Sequence, residues 1–269
     1  MNLEAIDLGL LSPAFGAGLL VLATHVPLGA QVLRKGIVFI DLAIAQIAAL
    51  GVVIAGMLDV APSGWQMQVA AAAAALAGAV MLNWTERKWP QVQEAQIGVV
   101  FVLAATAGIL LLSKNPHGGE HLRDLLAGQI LWVGYPQLLI PLVATIVIVA
   151  LWFGLQQRLS PLGFYLLFAL AVTVSVQLVG VYLVFATLIV PSLGARQHPP
   201  ARRLPLAYAV GIGGYAVGLV LSAALDLPSG ALIVWCLALL AVVVHACAPR
   251  TVEAAAGPLT TSAAHSRMS

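Results

Sequence analysis

Charged side chains are scarce in this sequence. Asp, Glu, Lys and Arg make up 8% of its 269 residues, against about 25% in a soluble domain. A chain this poor in charge cannot cover a water-facing surface, which excludes a soluble enzyme, a nucleic-acid binder and a disordered polymer. The 12 basic residues nearly balance the 10 acidic ones, again unlike a nucleic-acid partner. Cysteine is almost absent. Cys236 and Cys247 both lie in the last apolar stretch, where they read as small core residues, not a disulfide framework. No G-x-x-x-x-G-K-[ST] phosphate loop occurs, so ATP is not bound and hydrolysed by that route. The start, MNLEAIDL, has Glu4 and Asp7 but no Lys or Arg. A secretory signal needs a positive start, so the first apolar stretch is expected to remain as structure.

What the chain has is apolar mass: 61% of its residues are hydrophobic and the mean hydropathy is +1.02. At about 20 residues per crossing, this suffices for roughly eight or nine transmembrane helices. The apolar stretches run at 10–32, 36–58, 65–84, 95–113, 136–156, 162–178, 180–195, 204–224 and 229–248. They lack the two-residue alternation of barrel strands, and turn residues such as Pro62-Ser63-Gly64, Ser160-Pro161 and Pro228-Ser229-Gly230 separate most of them. The expected fold is an all-α integral membrane protein, a polytopic helix bundle forming one permease-like domain over residues 1–250. A polar, disordered tail is expected over 251–269.

The stretch 162–195 decides the number of spans. Broken near Gly180 it gives nine; as one bent helix it gives eight. With nine spans and the N-terminus outside, ten of the twelve basic residues fall on the inner side: Arg34, Lys35, Arg87, Lys88, Arg158, Arg196, Arg202, Arg203, Arg250 and Arg267. With eight, only five do. The positive-inside rule therefore selects nine, with a cytoplasmic C-terminus. The two spans made by the break are short, about 25 Å each at 1.5 Å per residue, against a hydrocarbon core of about 30 Å. Interrupted helices at membrane depth are buried in protein or line a cavity, so Gly180 and Pro191 are pathway or gating candidates.

Few polar groups lie inside the spans. Asp41, in GIVFIDLAIAQIAALG, falls about five residues, or roughly 7 Å, inside the predicted second helix. An ionised carboxylate at a helix centre costs about 2.5–3.5 kcal/mol, and less at this depth, so it is tolerated where it faces a partner or a water-filled cavity. A transport role, pairing with Arg34 or Lys35, and simple capping are the three readings. Gln46, a further pathway candidate, follows at i+5 on a different face. His25 precedes Pro27 by two residues. It either satisfies the carbonyl that proline frees one turn back or lines a metal path. In the loop KNPHGGEHLRD, His117, Glu120, His121 and Asp124 share one face if the segment is helical. Imidazole with carboxylate suits zinc, manganese or iron(II). The same residues match H-x-x-E-H, a zinc-protease pattern, but Pro116 and two glycines oppose the firm helix that it needs. The loop is otherwise a metal entry or sensing element, or a plain solvated loop.

Several stretches together resemble one family. PLGAQVLRKGIVFIDLAIAQIAALG resembles its first loop and second helix, QIGVVFVLAATAGILLLS its fourth helix, and LLAGQILWV the short segment before its fifth. VGVYLVFATLIVPSLGAR resembles its Val-Gly…Pro…Ala signature and LDLPSGALIV its last outer turn. The family is the permease subunit of zinc/manganese-type metal-ion ABC importers. The resemblance implies a permease homodimer in the lipid of the bacterial inner membrane, a pair of cytoplasmic ATPase subunits that bind the ATP, and an extracytoplasmic metal-binding protein. The divalent metal would be cargo, with no tightly bound cofactor. It places Asp41 on the pathway. The family's His one turn later does not carry over, since Ala45 and Gln46 stand there. Metal contacts then fall to Asp41, to His117, Glu120 and His121, and to His25. The inner loop LQQRLSPLG, residues 155–163, is shorter than the family's. A stand-alone cation-coupled carrier is the alternative, a membrane zinc protease a remote third, and a passive partner-binding scaffold the fourth.

Overall fold

The computed structural model describes residues 8–57, 65–112, 130–155 and 158–249. The described residues form nine α-helices and no strands: α1 (Leu8–Lys35), α2 (Ile40–Met57), α3 (Trp65–Lys88), α4 (Gln93–Leu112), α5 (Tyr135–Leu155), α6 (Pro161–Val179), α7 (Val181–Gly194), α8 (Pro200–Leu225) and α9 (Ser229–Ala246). Single 3-10 turns at Pro90–Val92 and Ile130–Trp132 precede α4 and α5. Eight of the helices are long and apolar enough to cross a bilayer. The expected all-α polytopic bundle is the observed fold.

The ninth helix, α7, has only 14 residues, about 21 Å at 1.5 Å per residue. It lies between two clefts. Its first residues, Val181 and Tyr182, line a cleft with the α8–α9 turn at Asp226–Ser229. Its end, at Ser192 and Arg196, shares another cleft with Arg34 and Arg203. Helix α6 starts at that second end, where the Lys35 ammonium lies over the Phe164 and Tyr165 rings at 5.2 and 5.6 Å. So α6 and α7 are antiparallel, and Gly180 makes the reversal. Its φ of 81° and ψ of 164° belong to a backbone region that is essentially glycine's own. The residue closes α6 by donating its N–H to the Val176 carbonyl (2.9 Å) and opens α7 by accepting from Val184 (3.1 Å).

Burial concentrates on α6 and α1, whose best apolar windows are 67% and 56% buried, whereas that of α4 is 11% buried. The apolar residues of α4, α5 and α9, such as Leu103, Leu110, Leu139, Val143, Leu239 and Val242, are exposed. In water such faces would aggregate; here they meet lipid or another subunit. Helices α1 and α7 approach closely at Gly29, where any Cβ would run into the Leu188 carbonyl.

Helix α1 continues to Lys35 and α2 begins only at Ile40. The sequence expectation of a second helix from residue 36 is therefore corrected. Asp41 is the second residue of α2, at its terminus, and not a turn and a half within it. The reason is local: residues 36–39 form a turn that is held from another helix, as described next.

Candidate translocation site

The start of α2 is fixed by a polar cluster. The Phe39 backbone N–H donates to Glu94 Oε1 of α4 (3.2 Å). Lys35 at the end of α1 pairs with Glu86 of α3 (Nζ to Oε1, 3.2 Å). Gln93 Nε2 donates to the Leu82 carbonyl (3.1 Å) and to the Tyr165 hydroxyl (3.3 Å). The Phe39 ring stacks on Phe185 of α7, with centroids 6.4 Å apart. Side chains from α3, α4, α6 and α7 thus set where α2 begins.

Asp41 is 1% exposed. Backbone N–H groups of Asp41 and Leu42 lie against its carboxylate, and Glu94 is close enough to repel it. Its Oδ1 atom is buried without a hydrogen-bond partner, as are Glu86 Oε2 and Glu94 Oε2. Buried acceptors in native structures nearly always have partners, so three orphaned carboxylate oxygens near one helix start mark a polar spot beyond what packing needs. Pairing of Asp41 with Arg34 or Lys35 is not what the structure has. Lys35 goes to Glu86, and Arg34 Nε donates to the Ala30 carbonyl of its own helix (3.3 Å). Capping of α2 and a role toward a cation both agree with this geometry. Among the described residues no three His, Cys, Asp or Glu side chains come together to hold a metal ion.

Above Asp41 opens a cleft of about 1010 Å³ between α2, α4, α7 and α9, reaching the Ile130–Trp132 turn. Leu42 and Gln46, one turn apart on α2, line it, and Asp41 does not. The two polar residues therefore sit on different faces, as their i+5 spacing dictates. The walls are mostly apolar, including Phe101, Phe185, Trp132 and Trp235, and the polar lining besides Gln46 comes from Tyr182, Asp226 and Ser229. Asp226 ends α8 in the left-handed conformation, φ 52° and ψ 45°. Sequence reasoning did not single it out. The turn LDLPSGALIV was the available signal, because an Asp that ends a helix before Leu-Pro is held at a bundle end. Gly180 is the reversal before Tyr182, and Pro191 is buried within α7.

His25 lies elsewhere. It is fully buried and lines neither the large cleft nor the one beside Arg34. Its Nδ1 is 3.1 Å from the Val21 carbonyl and 2.9 Å from the Thr24 hydroxyl. A carbonyl only accepts, so Nδ1 carries the proton and Nε2 is a bare acceptor, buried without a partner. The carbonyl that Pro27 frees belongs to Ala23, and the Tyr208 hydroxyl of α8 donates to it (3.3 Å). His25 thus acts on a carbonyl two residues earlier than the one the sequence suggests. His117, Glu120, His121 and Asp124 lie outside the described residues, as do the tail beyond 249 and residues 156–157 of the inner loop.

A bundle of apolar helices around a cleft, with almost all its charge at the helix ends, defines a multi-pass membrane protein. The chain belongs to the ABC 3 transport family, whose model matches residues 7–164 and 152–248. It is accordingly the membrane subunit of an ABC transporter and not itself an enzyme, which removes the protease reading of the His117 loop. Its fold is that of PsaBC from Streptococcus pneumoniae, solved in complex with Fab. The likeness has a TM-score of 0.76 at 20% identity and covers 94% of this chain and 99% of that one. An uncharacterized membrane protein of Synechocystis is 30% identical over 179 residues, which is 58% of this chain and 63% of the relative. The match therefore spans a little under two thirds of that relative's length.

Proposed function

We propose that this chain is the permease subunit of an ABC importer that carries a divalent transition metal across the bacterial inner membrane by alternating access. Zinc is the first candidate, with manganese or iron as alternatives. Family membership supports the transporter class, and the fold shared with PsaBC agrees with it. The observation that carries the cargo reading is Asp41, an acid sealed among helices with one carboxylate oxygen unpaired, next to Leu42, which lines the large cleft. An ion leaving the cleft past Gln46 would meet a carboxylate that repels anions and has spare acceptor capacity. Hard and borderline dications favour such oxygen ligands.

In this reading the large cleft, open along α4, α7 and α9, is closed by a second copy of the permease. The basic end, with Arg34, Lys35, Arg196 and Arg203, faces the cytoplasm and the ATPase subunits. An extracytoplasmic metal-binding protein delivers ions at the opposite end, where His117, Glu120 and His121 receive them. His25 keeps a supporting place within α1, and Gly180 and Pro191 belong to the short α7 beside the cleft.

The test is uptake of radiolabelled zinc and manganese into proteoliposomes that hold the permease with its ATPase subunit. ATP-dependent uptake that falls far more in Asp41→Asn than the protein's abundance does supports the reading. Equal falls in both would assign Asp41 to folding. Uptake that persists without ATP or ATPase would replace the importer by a cation-coupled carrier.

A further inference from the structure

We propose that the cleft between α1, α5, α7 and α8 is a binding site for the phosphate headgroup and one acyl chain of an anionic phospholipid. The inference rests on the chain's spanning a membrane and not on which ion it carries.

The cleft measures about 590 Å³, and its mouth carries Arg34, Arg196 and Arg203 from three different helices or their ends. No carboxylate lines it. The acids nearest in sequence to these arginines, Asp41 and Asp226, do not line the cleft, and Glu86 and Glu94 are engaged with Lys35 and the Phe39 N–H. Arg34 and Arg203 each spend Nε on a backbone carbonyl, Ala30 at 3.3 Å and His198 at 2.8 Å. Those bonds orient the guanidiniums and keep their terminal nitrogens for a ligand. Three guanidiniums with no acid among them repel one another unless an anion lies between them. Phosphate is an anion whose geometry arginine's planar fork matches.

The depth of the cleft chooses the source of the phosphate. Below the arginines its walls are Leu33, Trp152, Phe153, Leu204 and Ala207, and it descends along α1 as far as Pro27. From Arg34 to Pro27 is seven residues, about 10 Å along the helix axis. Phe153 is 54% exposed and Leu204 36%, so the slot opens toward the lipid side. A soluble phosphate has nothing to put into such a slot. A loop of a partner protein would have to bury its backbone polar groups there at a cost of several kcal/mol each. An acyl chain enters without that cost. Basic pockets between transmembrane helices on the cytoplasmic side are a known setting for anionic headgroups.

The experiment is native mass spectrometry of the detergent-purified full chain titrated with dioleoylphosphatidylglycerol, dioleoylphosphatidylcholine or inorganic phosphate. The wild type should retain one phosphatidylglycerol in preference to phosphatidylcholine, undisplaced by millimolar phosphate. Each Arg→Gln change at 34, 196 or 203 should weaken retention about fivefold. The triple variant should lose it, while Arg87→Gln with Lys88→Gln, charges at the same end outside the cleft, should not. Arg196→Gln alone, whose side chain makes no anchoring bond to the backbone, guards against misfolding and should show the loss at an unchanged melting temperature. The proposal is overturned if the triple variant binds phosphatidylglycerol like the wild type, or if the control pair weakens it equally. It is also overturned if free phosphate competes. A triple variant that keeps its lipid but no longer holds its ATPase subunit would show that the cleft serves protein docking instead.

Discussion

The Tyr208 hydroxyl of α8 stands 3.3 Å from the Ala23 carbonyl of α1, the one carbonyl that Pro27 deprives of its helical donor. Residues 185 apart in sequence therefore tie two helices where Pro27 interrupts the hydrogen-bond ladder of α1. Ser192 of α7 adds a second tie one turn on, donating to the Val26 carbonyl at 3.3 Å. Replacing Tyr208 by Phe removes the donor with little change of shape. Interhelical hydrogen bonds in membrane proteins contribute about 1 kcal/mol. A fall of about that size in unfolding free energy is expected for Tyr208→Phe in detergent, and a melting midpoint equal to the wild type would mean that Ala23 needs no donor.

At Gly29 the backbones of α1 and α7 approach so closely that a side chain at this position would meet the Leu188 carbonyl, which belongs to backbone and cannot swing away. Gly29→Val should therefore separate α1 from α7. Overpacking of this kind costs about 1–3 kcal/mol, and more where backbone is the obstacle. Size-exclusion chromatography of the detergent extract should show aggregated or depleted protein. Gly98→Ala in α4, where nothing lies within 4 Å of an added Cβ, should give a wild-type profile.

The helices were legible in the sequence because bilayer thickness and hydrophobicity act on every residue of a span. The break at Gly180 was legible from charge, since only a ninth crossing puts Arg196, Arg202 and Arg203 beside Arg34 and Lys35. The structure places Arg196 and Arg203 in one cleft with Arg34. The site was less legible. Composition marks Asp41 as unusual but cannot tell that Glu94, 53 residues later, holds the turn before it, because that contact depends on how α2 and α4 meet. The same limit hid Tyr208 as the partner of the Pro27 kink. His25 was nearer in sequence and carried the expected chemistry. The cleft itself is a property of four helices, and no single stretch announces it beyond the turn at Asp226.

Gly180 separates two antiparallel helices by a single residue at φ 81°. Alanine there would hold a backbone region that L side chains rarely adopt, at a cost of about 1–3 kcal/mol. Gly180→Ala should lower the melting midpoint. Because the reversal sets where Tyr182 enters the cleft, it should also lower transport per folded molecule. A variant with full stability and full transport would show that α6 and α7 tolerate another junction.

The His117–His121 loop yields a prediction from sequence alone. If it collects ions for the pathway, replacing His117, Glu120 and His121 together by Ala should reduce uptake at scarce metal and leave it near normal at abundant metal. In kinetic terms the half-saturating concentration rises while the maximal rate holds. An unchanged half-saturating concentration would make the loop a bystander.

Asp41 and Gln46 stand on different faces of α2, one sealed among helices and the other lining the cleft, about 7 Å apart along the axis at 1.5 Å per residue. That separation lets them serve successive points on one route more readily than a single coordination sphere. Gln46→Leu should then lower the maximal uptake rate without lowering abundance, and Asp41→Asn should lower it further. The double variant decides between the arrangements. Independent sites combine so that the two fold-losses multiply within about a factor of two. If both residues grip the same ion at the same moment, the second substitution adds little once the first has released it, and the double variant would transport like Asp41→Asn alone.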